Sequence, residues 1–301
     1  MRAIEINPNY ASAHQWYAGA LVAAGRFEES LGEIETAHDL DPLSPIINQN
    51  LADALYRNLR WEEALAQYAA TLELDPAFAI SYLEQSAILA NLGRFDEALI
   101  LARRARELNP ASPLIAMGPA NVLFLAREYD ATLEEGLPVL EAFPDVRQTY
   151  GSGFGLFGGF VYTGRHDEAL ATVDRGSDLT PPPIRFLWDL ARAFVAAHAG
   201  DRDLAMEYLD RAEEGRAQGP FDIWGLGTVG TVYALLGDHD RAFEWLERAY
   251  EENPGELAGM RVFPAYDPLR DDPRFDDLLR RMKLDDASLA WLDDRDAGTA
   301  P

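Results

Sequence analysis

The sequence predicts an all-α solenoid of stacked helix pairs. Two observations carry this. Prolines 8, 42, 76, 110 and 144 keep a spacing of 34 residues. Between them, apolar residues recur at steps of three and four, the signature of one helix face.

Three segments give the unit in full: GRFEESLGEIETAHDLDP from Gly25, LRWEEALAQYAATLELDP from Leu59 and GRFDEALILARRARELNP from Gly93. Each runs from a turn through an aromatic residue and an acid pair into an apolar helix, then to Asp-Pro or Asn-Pro. In the third unit Phe95, Ala98, Leu99, Ala102, Ala105 and Leu108 form a stripe on one face of the second helix. The first helix, over 81–91, stops at Gly93, a helix C-terminal signal. Asn109-Pro110 ends the second, because a residue before proline is pushed out of the α region. The acid pairs Glu28-Glu29, Glu62-Glu63 and Asp96-Glu97 open each second helix, where they favour its dipole. A small residue marks the middle of every second helix: Ser30, Ala64, Ala98, Thr132, Ala169, Ala205 and Ala242. It lets two helix axes approach closely, and it counts seven complete units. In the fourth, Pro119 and Pro138 fall inside helices and are expected to kink or fray them.

This 34-residue pattern resembles the tetratricopeptide repeat over residues 3–254. The last unit fits best: Gly230, Tyr233, Gly237, Ala242 and Pro254 stand at the family's recurrent small, aromatic, turn and proline positions. The family's first-helix tryptophan is missing; His14, Asn48, Tyr82 and Ala116 stand there. The resemblance implies a right-handed array with a concave face built from first helices. The expected division is a remnant second helix at 1–10, seven repeats over 11–254, a cap at 255–284 and an acidic, flexible tail at 285–301, apart from Leu289 and Trp291. The cap is needed because each unit leaves one apolar face open; Phe275, Leu278, Leu279 and Met282 share one of its faces. Units that touch only their neighbours imply an elongated particle. The ending also resembles the segment after such arrays in large bacterial regulators.

Composition narrows function. With no cysteine, disulfides, thiol nucleophiles and thiolate metal sites are excluded. The net charge of −25 disfavours nucleic acid. No apolar run reaches membrane-spanning length and no leader is evident, so a cytoplasmic protein is expected. Lys283 is the single lysine among 26 basic residues. Acid excess without lysine fits either salt adaptation or an arginine-favouring, GC-rich gene.

Two G-x-G-x-x-G runs, Gly153-Gly155-Gly158 and Gly225-Gly227-Gly230, have the spacing of a dinucleotide fingerprint. Both fall in first helices of the repeat, and neither follows a buried strand as the fingerprint requires. Close helix packing or local flexibility is the expectation. His166 and His239 replace the aromatic of the inter-helix turn, and His14, His38 and His198 have no partner at ligand spacing. No catalytic motif, metal set or cofactor site emerges.

The expected function is binding of a protein or peptide segment in the concave groove; a homo-oligomer is left open. The alternatives are an input module of a larger transcription regulator or nucleotide cyclase and, remotely, an enzyme or nucleotide binder. The family's groove positions give Gln49, Asp53, Tyr56 and Arg57 in unit two, Asn91 in unit three, Met117, Asn121 and Phe124 in unit four, and Phe154 and Tyr162 in unit five. They form a mostly apolar floor, with Arg57, Asn91 and Asn121 as polar anchors for an extended apolar peptide.

Overall fold

A computed structural model describes residues 2–145, 154–217 and 225–292. After a short helix, Arg2–Ile6, the described residues form seven helix pairs. They are Ala11–Ala23 with Phe27–Leu40, Pro45–Arg57 with Trp61–Leu74, Ala79–Asn91 with Phe95–Leu108, and the split Pro113–Ala116 and Gly118–Leu125 with Tyr129–Ala142. Then come Phe154–Tyr162 with His166–Asp178, Phe186–His198 with Arg202–Ala217, and Leu226–Leu235 with His239–Glu252. No strand occurs among the described residues.

All seven small residues of the second helices are buried, none more than 1 % exposed. A second small or slim residue lies seven positions on: Ala37, Thr71, Ala105, Val139, Gly176, Ala212 and Ala249, again all buried. Two turns of helix separate the members of each pair, so both face the same neighbour. Each inter-helix turn holds one residue in the left-handed region. It is glycine five times, but Leu59 (φ 57°) in unit two and Arg127 (φ 66°) in unit four. The acid pairs gain an ion-pair role beyond the dipole: Glu29, Glu63, Glu97 and Glu168 each bind the arginine three residues before them.

The two prolines of unit four behave differently. The first helix breaks at Met117, just before Pro119. Pro138 instead sits within the continuous helix Tyr129–Ala142. The carbonyl it leaves without an intrahelical donor belongs to exposed Glu134, where water can take the bond.

The glycine runs are packing devices where they are described. Added at Gly155, a Cβ would stand 2.7 Å from the Asn121 Cα; at Gly159, 3.1 Å from Leu133 and Thr132 side chains. Gly153 lies outside the described residues. In the second run Gly225 is not helical: it precedes Leu226–Leu235 in the left-handed conformation, φ 81°. This helix start does hold an anion, but the chain's own. The Glu256 carboxylate accepts from the Gly225 N–H at 2.5 Å and the Gly227 N–H at 3.0 Å. Burial pushes the Glu256 pKa up, against the pull of those backbone donors.

The expected elongated array is instead curled and closed by its C-terminal segment. Helix Pro273–Arg281 packs on the second helix of unit seven, taking the place of an eighth first helix. Arg274 lies 4.2 Å from the Phe243 ring centre and bonds Asp240 at 2.9 Å; Phe275, Leu278 and Met282 are buried. The same segment then reaches back to units two, three and four. The Trp61 indole donates to the Met282 carbonyl at 3.0 Å. Arg127 holds Asp267 through two bonds of 2.7 Å. Val262 comes within 3.9 Å of the Cβ position of Gly93. The turns of units two, three and four thus line up along residues 262–282. The driving force is apolar: the inner face carries aromatic and aliphatic groups that an open array would leave in water. Residues 285–292 belong to this closure, with Leu289 and Leu292 buried and Asp286 bonded to Arg261 at 2.7 Å.

Candidate functional site

Curling turns the groove into a chamber of about 750 Å³. Its wall is built from first helices of units two to seven and from residues 255–266. Units two to four supply Tyr56, Asn91, Leu114, Phe124 and Leu125; unit five supplies Phe154, Phe157 and Gly158. Unit six contributes Leu187, Trp188, Leu190, Ala191 and Phe194, and unit seven Gly227, Thr228 and Thr231. Leu114, Phe154 and Leu187 are 39 %, 41 % and 37 % exposed, so the apolar lining is open to a ligand. The size is that of pockets which enclose a peptide side-chain cluster or a small molecule.

Of the ten groove residues expected from sequence, Tyr56, Asn91, Phe124 and Phe154 line this chamber. Phe124 is not a free floor residue. It is 1 % exposed and forms the hub of an aromatic cluster, with Tyr129, Phe154, Tyr162 and Phe263 rings at 5.5–5.9 Å. Met117, fully buried, is core. Asn121 is not the expected anchor either: its Oδ1 accepts from the Gly155 N–H at 3.0 Å and joins units four and five. Tyr162 stacks on Tyr129 at 5.1 Å and meets the His198 ring at 4.7 Å. For Phe124 and Asn121 the cause is the short spacing of first helices: Gly155 lies against Asn121 and Gly158 against Phe124, which brings the floor of unit four against unit five.

Sequence reasoning missed the contributions of units six and seven, although the signal existed. The repeat positions that select Phe154 and Gly158 in unit five select Leu190 and Phe194 in unit six and Gly227 and Thr231 in unit seven. It also missed the wall made by residues 255–266, which lie outside the repeat period.

The remaining expected residues, Gln49, Asp53 and Arg57, gather in an acidic corner beyond Tyr56. The Asp53 carboxylate accepts from the Gln49 amide at 3.1 Å and from the Tyr68 hydroxyl. Gln49 in turn accepts from the Ser81 hydroxyl of unit three. Glu84 stands nearby on the same helix as Ser81, half-buried. Burial pushes the Glu84 carboxyl up to about 7, Asp53 repulsion adds to the rise, and Arg57 opposes it. Burial likewise raises Asp53 and lifts the Tyr56 hydroxyl to about 12, with Glu84 adding to the latter. Asn91 is the hydrogen-bond partner of the Tyr56 hydroxyl.

Glu84 sets a pH dependence. A carboxyl whose pKa is raised on folding binds its proton more tightly in the native state. Its stabilising balance is therefore best below the ordinary carboxylate range, near 4.5, and is lost as pH rises through about 7. Glu84→Gln is expected to stabilise the protein by about 2 kcal/mol at pH 8 and to change little at pH 5. Urea unfolding at the two pH values reads this out; equal effects at both would contradict it.

The histidines have partners that local spacing conceals. His14 bonds the Glu33 carboxylate at 2.7 Å and the Pro8 carbonyl at 3.0 Å. The rings of His166 and His198 lie 5.8 Å apart, and burial followed by the charge of His166 lowers the His198 pKa.

Residues 50–113 and 226–256 match family models described as tetratricopeptide repeat. No curated protein matches the chain in sequence. Solved structures match its fold. A tetratricopeptide repeat protein from Parabacteroides merdae aligns with a TM-score of 0.55 at 14 % identity, covering 90 % of this chain and 98 % of that one. Yeast Tom70 aligns with a TM-score of 0.56 at 15 % identity, over 93 % of this chain and 60 % of its own. The Cut9 and Hcn1 hetero-tetramer of the APC/C gives 0.55 at 15 % identity, over 92 % and 57 %. Among the described residues no helix is long and apolar enough to cross a membrane. The family matches place tetratricopeptide repeats at 50–113 and 226–256, and the 34-residue period with its helix pairs gives the described chain the fold of a tetratricopeptide-repeat array.

Proposed function

We propose that the protein is an interaction module that holds an apolar segment of a partner protein in the inner chamber. Proteins of this repeat fold commonly mediate protein–protein interactions. The observation that carries the reading is the chamber itself, about 750 Å³ with an apolar wall and three half-exposed large side chains, Leu114, Phe154 and Leu187. Open apolar surface in a concave site is stabilised by covering it. Asn91, Thr228 and Thr231 are polar groups of the wall beside which the backbone of an extended segment would lie.

The test uses a neutral, blocked octapeptide of leucine, phenylalanine and alanine ending in citrulline, with fluorescence anisotropy as readout. Leu187→Glu places a charge on the chamber wall at a half-exposed site, so the fold should survive. It is expected to weaken binding by about tenfold or more. Ile100→Glu, at a position 68 % exposed on a second helix, is expected to leave binding unchanged. Unaltered affinity in folded Leu187→Glu protein, or no binding at all by the parent protein, would overturn the proposal.

A further inference from the structure

Among the described residues that line the chamber, Glu256 alone carries a charged side chain. We propose that Glu256 sets the specificity of the chamber by receiving the cationic side chain, arginine or lysine, of the segment whose apolar part fills it. This rests on the chamber being the binding site, and it names the chemistry of the partner: an apolar stretch with one basic residue, whose head group meets the wall formed by residues 255–266.

Three observations converge. First, Glu256 has no cation of its own. Its hydrogen-bond partners are backbone N–H groups, and among the described residues no arginine, lysine or histidine pairs with it. Glu252, four residues earlier, does hold Arg248, at 2.5 Å. Second, the carboxylate is held in place with acceptor capacity to spare. The Gly225 N–H meets Oε1 and the Gly227 N–H meets Oε2. A carboxylate offers about four acceptor sites, and those left over suit a guanidinium fork or an ammonium. Third, a hydroxyl waits beside it. Tyr266 lines the chamber yet is 4 % exposed, and its hydroxyl makes no hydrogen bond among the described residues. That hydroxyl stands 3.6 Å from the Cβ position of Gly227, and the Glu256 Cβ stands 3.7 Å from the same point. Carboxylate and phenol therefore flank the start of helix Leu226–Leu235 together, and the phenol oxygen can accept a second bond from the same cation. Any segment that fills the chamber takes water away from Glu256. The helix start offsets about half a unit charge. A neutral segment would leave the rest buried without a counter-ion, which is costly, whereas a basic residue supplies one.

Two peptides decide the matter: the citrulline octapeptide above and its twin with arginine, which differ in charge and little in shape. At pH 8 the arginine peptide is expected to bind about tenfold tighter. In Glu256→Gln, which keeps the shape of the side chain and removes its charge, the two peptides should bind alike, at the citrulline level of the parent protein. The citrulline peptide also reports whether this variant keeps its chamber. If it does not, salt dependence of the parent protein decides. In about 1 M NaCl, charges are screened beyond about 3 Å, so a contact pair inside the chamber keeps most of its effect. Equal binding of both peptides to the parent protein would overturn the role of Glu256 while leaving the chamber reading intact. An arginine preference that persists in folded Glu256→Gln protein, or that vanishes in high salt, would also overturn it, assigning the effect to the general field of a chain with net charge −25. Failure of the citrulline peptide to bind the parent protein would remove the chamber reading, and this inference with it.

Discussion

A chain ending at Asn253 is expected to lose its cooperative fold or to melt at least 15 °C below the full-length protein, with exposed apolar surface driving aggregation. The segment removed is core rather than trim. Leu257, Met260, Leu269, Phe275, Leu278, Met282 and Leu284 are each no more than 1 % exposed. Burial of one such side chain is worth about 1.5–3 kcal/mol, so together they approach the roughly 5–15 kcal/mol that separates a folded domain from its unfolded state. Their removal also strips partners from the front of the array. The Trp61 indole loses its acceptor, Arg127 loses Asp267, and the two donors at the start of Leu226–Leu235 lose Glu256. Arg127→Ala separates closure from capping. It breaks only the half-exposed pair with Asp267, and should cost about 1 kcal/mol or less. Thermal melting by circular dichroism and size-exclusion chromatography of both variants provide the check. A truncated chain that is monomeric and melts with the parent would show that the repeats stand alone.

The repeats themselves were legible because they are periodic. Proline spacing located the helix pairs, and the small residues from Ser30 to Ala242 located the tight contacts, every one of which is buried. Groove positions were legible for the same reason, and they would have reached Leu190 and Phe194 had the register been carried past unit five. Closure was not legible. Its decisive contacts join Arg127 to Asp267 and Trp61 to Met282, 140 and 221 residues apart, and no period links them. The same limit hid Glu256, which answers the second glycine run from outside the repeat register. It also hid His14 with Glu33, whose 19-residue separation is set by how two helices of one pair face each other. Whether a groove position is open or buried depends on the distance between neighbouring first helices. That distance is set by glycines whose effect, at Gly155 and Gly158, is visible only once the facing Asn121 and Phe124 are placed.

Phe124→Ala is expected to destabilise the protein by about 3–5 kcal/mol, which makes it a probe of the fold and not of binding. Its ring meets Tyr129, Phe154, Tyr162 and Phe263, so truncation opens a cavity between units four, five and the C-terminal segment at once. Residues from three elements cannot all collapse into one gap, which puts the cost toward the upper part of the range. The facing glycine gives a second, sharper test. A Cβ at Gly158 would stand 2.3 Å from the Phe124 ring, so Gly158→Ala overpacks the site and should cost about 1–3 kcal/mol by itself. Once the ring is gone, the new methyl group enters vacated space and the helix gains about 0.5–1 kcal/mol from losing an interior glycine. The double variant should therefore be no less stable than Phe124→Ala alone, a coupling opposite in sign to simple addition. Urea denaturation of the two single variants and the pair measures this cycle. Additive losses would mean that Gly158 and Phe124 are not in contact, and a loss below about 1 kcal/mol for Phe124→Ala would mean that the aromatic hub does not hold the closed array together.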